Sequence, residues 1–248
     1  MATSADQLIL TNGEGKKIDP VITHCIFDLD GLLLNTEQIH YETTSEMFAK
    51  CFGKTYTLQQ WSHAVGIHQN ESVASLINET GINVTVDEFQ KERYEINVKK
   101  YPFAKLMPGV MRLVKHLKKH RIPMAIASNS FRRSVIVKTS VNIELFNMFD
   151  NVTCADDVKN LKPAPDLFLA AREAIGKPPT NQCLVFEDSI PGVKAAKNAN
   201  MNVIWVPDPM VAELYPDING ADEIIFSLND FDPTKYGLPP FVEESSSA

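Results

Sequence analysis

Asp28 and Asp30, separated by Leu29 and followed by Gly31, are the residues whose types and spacing best suit chemistry. They close the apolar run Cys25-Ile26-Phe27, and on an extended strand positions i and i+2 face the same way. Both carboxylates are therefore expected in one site at the end of a strand. Two bare carboxylates about 4 Å apart repel by roughly 4 kcal/mol at an effective dielectric near 20, so the pair requires a cation, a shared proton or both. Glu187-Asp188 closes a second apolar run, Cys183-Leu184-Val185-Phe186, and would add negative charge at a neighbouring strand end. Oxygen-only ligands favour Mg²⁺ over zinc or copper. Gly31 stands at the fourth position from Asp28 and is followed by Leu32-Leu33-Leu34, which excludes an EF-hand loop. A dinucleotide-binding loop is excluded too, because no Gly-x-Gly-x-x-Gly follows the strand.

The elements that must position these groups alternate between two periods. Apolar, β-rich runs at Ile22–Asp28, Pro123–Ser128, Cys183–Glu187 and Val203–Val206 read as strands covered on both faces, as in a parallel sheet. Helical patterns lie between them at Val110–Leu117, Ala164–Ile175 and Gly192–Ala199. The alternation predicts an α/β fold with a doubly wound parallel sheet, Rossmann-like, whose ligands bind at the carboxyl ends of the strands. From Gln38 to Met107 the spacing is helical, through Ile39, Thr43, Met47, Phe48, Val73, Leu76, Ile77, Phe89, Tyr94 and Ile96. This predicts a small inserted α-helical domain at 38–107, a core at 21–37 and 108–241, and flexible tails at 1–20 and 242–248. The basic stretch Arg112–Arg121 is read as the solvated face of a helix.

Composition narrows the class. In 248 residues there are 24 Lys+Arg against 31 Asp+Glu, a net charge of −7, with 44% hydrophobic and 22% charged residues. This is a globular mix, and the acidic balance argues against a nucleic-acid partner. No apolar run reaches the ~18 residues needed to span a bilayer, and Leu8-Ile9-Leu10 is too short for an export signal, so a cytoplasmic protein is expected. The cysteines, Cys25, Cys51, Cys154 and Cys183, form no Cys-x-x-Cys pair and are expected as buried free thiols. The Asn-x-Ser/Thr triplets at Asn70, Asn78, Asn83 and Asn151 are read as chance matches.

Four stretches in order resemble the motifs of the haloacid dehalogenase superfamily. They are Asp28-Leu29-Asp30-Gly31, Ser128-Asn129, Lys162-Pro163-Ala164-Pro165-Asp166, and Glu187-Asp188-Ser189 with Gly192. The overall likeness is to the pseudouridine 5′-phosphatase-like group, carried by Leu106-Met107-Pro108-Gly109, Leu228-Asn229-Asp230-Phe231 and Tyr236-Gly237-Leu238-Pro239. Asn35 departs from the Asp usual there. The resemblance implies that Asp28 is a nucleophile forming an aspartyl-phosphate, and Asp30 the acid and then the base. It implies Mg²⁺ held by Asp28, the Asp30 carbonyl, Asp188 and, directly or through water, Glu187. Ser128 and the Asn129 N–H would bind phosphate, and Lys162 would offset developing charge. An acid at position 30 favours phosphate esters over halides, since halide leaves without a proton.

The same resemblance makes the inserted helices a mobile cap that excludes water and contacts the leaving group. His68 and Gln69 are the expected substrate contacts there, and Gln69 stands where a β-phosphoglucomutase-like enzyme carries an arginine. His40 matches a mutase histidine but is read as a solvent-facing helix residue. The expected activity is a Mg²⁺-dependent phosphatase acting on a small nucleotide or sugar phosphate. A phosphomutase and a non-catalytic phosphate-binding protein are the alternatives. The partner is a small phosphorylated metabolite, and the assembly a monomer or homodimer.

Overall fold

The computed structural model describes residues 21–64, 69–214 and 220–242, with side chains over these ranges apart from 62–64, 69 and 214. Six parallel strands form one sheet: β1 (His24–Phe27), β2 (Met124–Ala127), β3 (Asn151–Thr153), β4 (Cys183–Glu187), β5 (Asn202–Trp205) and β6 (Glu223–Ile224), in the spatial order β3-β2-β1-β4-β5-β6. The strand order turns outward in both directions from β1, and it is at such a switch point that α/β sheets bind ligands. Phe27 pairs with Ile126 on one side and Phe186 on the other. That register brings the residues that follow β1, β2 and β4 to one level. The α/β reading is thus the observed fold.

The apolar runs of β1, β2 and β4 have no polar face because helices cover both sides of the sheet. One face packs Phe27, Ile126, Phe186 and Ile204 against α5 (Val110–Lys119), which buries Val110, Leu113, Val114 and Leu117. Its lysines remain outside, as the basic stretch suggested. The other face packs Ile26, Val185 and Val203 against α8 (Asp166–Ala174) and α9 (Ile190–Asn198). The edge strands β3 and β6 escape a reading of the sequence because three and two residues are too few to show a period. Asn151-Val152-Thr153, read only as a chance triplet, is the whole of β3.

Between β1 and α5 lie α1 (Thr36–Phe52), α2 (Leu58–Ala64), α3 (Gln69–Thr80) and α4 (Val86–Lys100). They have an apolar centre of their own, built from Met47, Phe48, Tyr56, Val73, Leu76, Ile82 and Phe89. Asn35 caps α1 by accepting from the Gln38 N–H at 3.3 Å, a role an aspartate would fill equally, so this departure keeps the helix start. The helix α2 has no counterpart in the sequence reading. The tails 1–20 and 243–248 lie outside the described residues. Cys25, Cys154 and Cys183 are buried free thiols, whereas Cys51, near the end of α1, is exposed. Among the described residues no helix is long and apolar enough to cross a membrane. Two further helices, α6 (Arg132–Thr139) and α7 (Ile143–Phe146), connect β2 to β3, and α10 (Pro209–Leu214) follows β5.

Candidate active site

Asp28 follows β1 directly, and its N–H donates to the Phe186 carbonyl at 3.0 Å. Lys162, 3% exposed, reaches it from a loop before α8. The ammonium donates to Asp28 Oδ1 at 2.5 Å, Glu187 Oε1 at 2.6 Å and the Ala127 carbonyl at 2.8 Å. All three of its protons are used. Burial drives the Asp28 carboxyl upward; Lys162 pulls the other way, and Glu187 and Asp30 add to the rise, leaving the group pushed up to about 7. Burial lowers the Lys162 ammonium, but Asp28 and Glu187 more than reverse this, so it stays charged.

Asp30 faces a different set of partners. Its Oδ1 accepts from Thr36 Oγ1 at 2.9 Å and Lys138 Nζ at 2.6 Å, and its Oδ2 from Ser128 Oγ at 3.2 Å and Ser130 Oγ at 2.7 Å. Burial pushes this carboxyl up, but the charge and hydrogen bond of Lys138, helped by Ser130, hold it well below the usual carboxylate range. The two aspartates, alike in sequence, are therefore driven in opposite directions by their neighbours.

Glu187 is fully buried, with Oε1 on Lys162 and Oε2 accepting from the Ser189 N–H and hydroxyl, both at 3.0 Å. Both of its oxygens are thus engaged by protein donors. Asp188 differs: its carboxyl accepts no hydrogen bond from a described residue, and burial, followed by Glu187 and Asp28, raises it well above the ordinary range. Two glycines make room for these carboxylates. A Cβ on Gly31, at φ +86°, would lie 2.1 Å from Asp188 Oδ2, and one on Gly192 would lie 1.9 Å from the Glu187 carboxyl carbon. The glycines of the motifs are thus space for acids, not general flexibility.

Asp28, Glu187 and Asp188 carry up to three negative charges against one ammonium, Lys162. Among the described residues no three carboxylate, imidazole or thiolate groups converge as a complete metal cluster. Mg²⁺, however, characteristically takes one or two carboxylates and fills its remaining positions with water and substrate phosphate. An undonated, half-buried Asp188 beside Asp28 fits such a hard cation in charge and ligand type.

Asp28, Asp30, Ser128, Lys162, Glu187 and Asp188, all anticipated from sequence, come together. The Asn129 side chain accepts from the Lys162 N–H at 3.1 Å, bracing that loop. His68 and the Gln69 side chain lie outside the described residues. His40 does not face solvent: it is half-buried, with Nε2 3.3 Å from Tyr101 Oη and Nδ1 3.5 Å from Glu37 Oε1. The sequence reading missed Thr36, Ser130 and Lys138. Ser130 could have been found as the residue two beyond Ser128. The only signal for Lys138 is its place four residues after Ser134, on the apolar face of α6.

Beside Asp188 and Gly31 opens a cleft of about 160 Å³, lined also by Glu37, Trp61, Asp208 and Phe226. No lysine or arginine lines it among the described residues.

Residues 25–206 match the family model described as haloacid dehalogenase-like hydrolase. The chain belongs to this family. It is 41% identical over 230 residues to (DL)-glycerol-3-phosphatase 2 of Arabidopsis thaliana, covering 90% of this chain and 95% of that protein. It is 37% identical over 229 residues to a probable pseudouridine-5′-phosphatase of Drosophila melanogaster, covering 90% and 96% respectively. A haloacid dehalogenase hydrolase of Entamoeba histolytica superposes with a TM-score of 0.74 at 23% identity, over 87% of this chain and 97% of its own, and so shares the fold. A putative β-phosphoglucomutase of Thermotoga maritima superposes at 0.64 with 27% identity, over 82% and 94%.

Proposed function

We propose that this haloacid dehalogenase-like hydrolase is a Mg²⁺-dependent phosphatase that removes phosphate from a small phosphomonoester through an aspartyl-phosphate on Asp28. The observation that carries the reading is the opposite tuning of Asp28 and Asp30 at one strand end: one carboxyl sits with Lys162 beside an uncompensated Asp188, and the other is gripped by four donors. This is the tuning of the site without a cation: a cation beside Asp28 and Asp188 would favour the ionised nucleophile, and Asp30 must give up part of its four-donor grip before it can carry a proton.

Asp28 attacks phosphorus in line, its oxygen forming the new bond as the ester P–O bond breaks. Asp30, once protonated, gives its proton to the leaving oxygen; it then takes one from the water that releases phosphate from Asp28. Ser128 holds Asp30 by the longest of the four contacts, 3.2 Å. A phosphate oxygen that takes the Ser128 hydroxyl frees an Asp30 lone pair beside the reacting atoms. Lys162 holds Asp28 in place and offsets charge that builds on the phosphoryl group. Asp28, Asp188 and the Asp30 carbonyl would hold Mg²⁺, with Glu187 keeping Lys162 and the Ser189 turn in place. Bound there, Mg²⁺ supplies the positive charge that screens phosphate from the carboxylates and orients it.

The helices α1–α4 act as a cap over this site. The cleft they share with the core favours an uncharged leaving group, since Glu37 and Asp208 would repel a second phosphate and Trp61 offers an apolar face. This supports hydrolysis over mutase chemistry on a bisphosphate, and it suits both glycerol and a nucleoside as leaving group. Release of inorganic phosphate from p-nitrophenyl phosphate with Mg²⁺, lost on chelation, tests the activity. Glycerol 3-phosphate and pseudouridine 5′-phosphate then test the leaving group. A sugar monophosphate returned as its isomer without free phosphate would overturn the reading in favour of a mutase.

A further inference from the structure

Lys138 is a buried cation to which the proposed reaction assigns no role. It projects from α6 on the face that also buries Ser134 and Val135, its side chain 2% exposed. The ammonium donates to Asp30 Oδ1 at 2.6 Å and to Ser130 Oγ at 2.8 Å, while Ser130 Oγ donates to Asp30 Oδ2 at 2.7 Å. Lys138, Ser130 and the two carboxyl oxygens thus close a ring of hydrogen bonds. Rotation of the Asp30 carboxyl breaks two of them at once. The other side of the ammonium lies 4.5 Å from the centre of the Tyr101 ring. Tyr101 in turn meets His40 of α1 at 3.3 Å through its hydroxyl. The cation therefore stands between the core carboxyl and the point where the chain returns from the helical segment.

Stability alone is a weak reason to bury a lysine. Removing two charges from water costs several kcal/mol per ion, and an apolar replacement is often neutral or better. Orientation is a stronger reason, because proton transfer requires the carboxyl within hydrogen-bond reach of the reacting oxygen, and a misplacement of about 1 Å can cost 10²-fold.

We propose that Lys138 is the positioning residue for Asp30, fixing the plane of its carboxyl and referring it to the helical segment through the Tyr101 ring. The inference rests on Asp30 as the proton-handling group of the proposed phosphatase. Lys138 touches neither phosphate nor leaving group, so its loss should lower turnover and spare binding.

The test is steady-state hydrolysis of p-nitrophenyl phosphate at saturating Mg²⁺ by the full chain and its Lys138→Met and Lys138→Arg variants, with thermal melting of each. Lys138→Met is expected to lose about 10- to 100-fold in kcat with KM within about threefold. Lys138→Arg, which keeps charge and donors, is expected to recover most of that loss. Tyr101→Leu should fall in the same direction by less. Full kcat in Lys138→Met, a matching rise in KM, or no recovery in the arginine variant would overturn the proposal. If the methionine variant does not fold, Lys138→Gln takes its place under the same criteria. A wild-type protein that Asp28→Asn silences secures the phosphatase reading independently; a wild-type protein with no turnover overturns that reading and this inference with it.

Discussion

The core site and the helical segment treat buried polar groups in opposite ways. At the strand ends Lys162 spends all three protons and Asp30 accepts four hydrogen bonds. In the helical segment Thr43 Oγ1, Ser45 Oγ, Trp61 Nε1 and Asn97 Oδ1 are buried without a hydrogen-bond partner, against His120 Nε2 alone among the described residues of the core. An unmade buried hydrogen bond costs about 1–3 kcal/mol, so the segment gives up more stability in this way than the core. Its centre is instead aromatic, with Phe48 against Phe52, Tyr56 and Phe89. The contrast is one of pairing: the side chains at the strand ends are locked by mutual hydrogen bonds, while the helical segment keeps polar atoms without a partner among the described residues.

The strongest way to break this comparison is at the nucleophile. Asp28→Asn is expected to reduce phosphate release by at least about 10³-fold and to leave no phosphoenzyme after acid quench, because an amide cannot form the acyl phosphate. Substantial turnover would show that the locked cluster is structural. Lys162→Met comes next. It leaves Asp28 and Glu187 without their shared cation, and breaking a buried pair in this way costs about 3–5 kcal/mol. A fall in both melting temperature and kcat is expected; a fully stable and active variant would remove the pairing from the argument.

A third measurement uses pH. Burial pushes Asp28 up to about 7, and Asp188 is raised as well. A carboxyl raised on folding binds more protons in the folded than in the unfolded state between its two pKa values. Its contribution to the stability of the metal-free protein therefore declines as pH rises from about 4 to 7. Mg²⁺ needs the ionised forms and should reverse that loss. The rise in melting temperature on adding Mg²⁺ should be larger at pH 8 than at pH 6, and the half-saturating Mg²⁺ concentration should increase as pH falls. Equal shifts at both pH values would place the cation elsewhere. The smallest expected effect lies in the helical segment: Trp61→Ala should raise KM for the preferred ester by about 2- to 10-fold, the worth of one aromatic contact. A loss confined to kcat would mean that the segment takes part in the chemistry.

Much of the core could be read from the chain because local rules suffice there. An apolar run covered on both faces announces a central strand, and a polar residue that ends it announces a ligand-facing position. Asp28, Ser128 and Glu187-Asp188 were legible on those grounds, and Gly31 and Gly192 gain a physical reason from the carboxylates that fill the space a Cβ would take. The edge strands β3 and β6 were not legible, since neighbours rather than periodicity make them strands. Cys51 and His40 were misjudged for a related cause: exposure on a helix depends on what the opposite elements cover. Tyr101, some sixty residues further along, decides the environment of His40.

The amino-acid order by itself determined the sheet's central strands, the inserted helices and the acidic groups that close two of those strands, because these follow from residue type and short-range spacing. Only the tertiary structure decided which cation each carboxylate meets. Asp28 and Asp30 differ by two positions in the chain and by nothing in chemistry. They are separated by Lys162, from 134 residues away, and Lys138, from 108, whose buried charges are felt strongly only when folding removes the water between them.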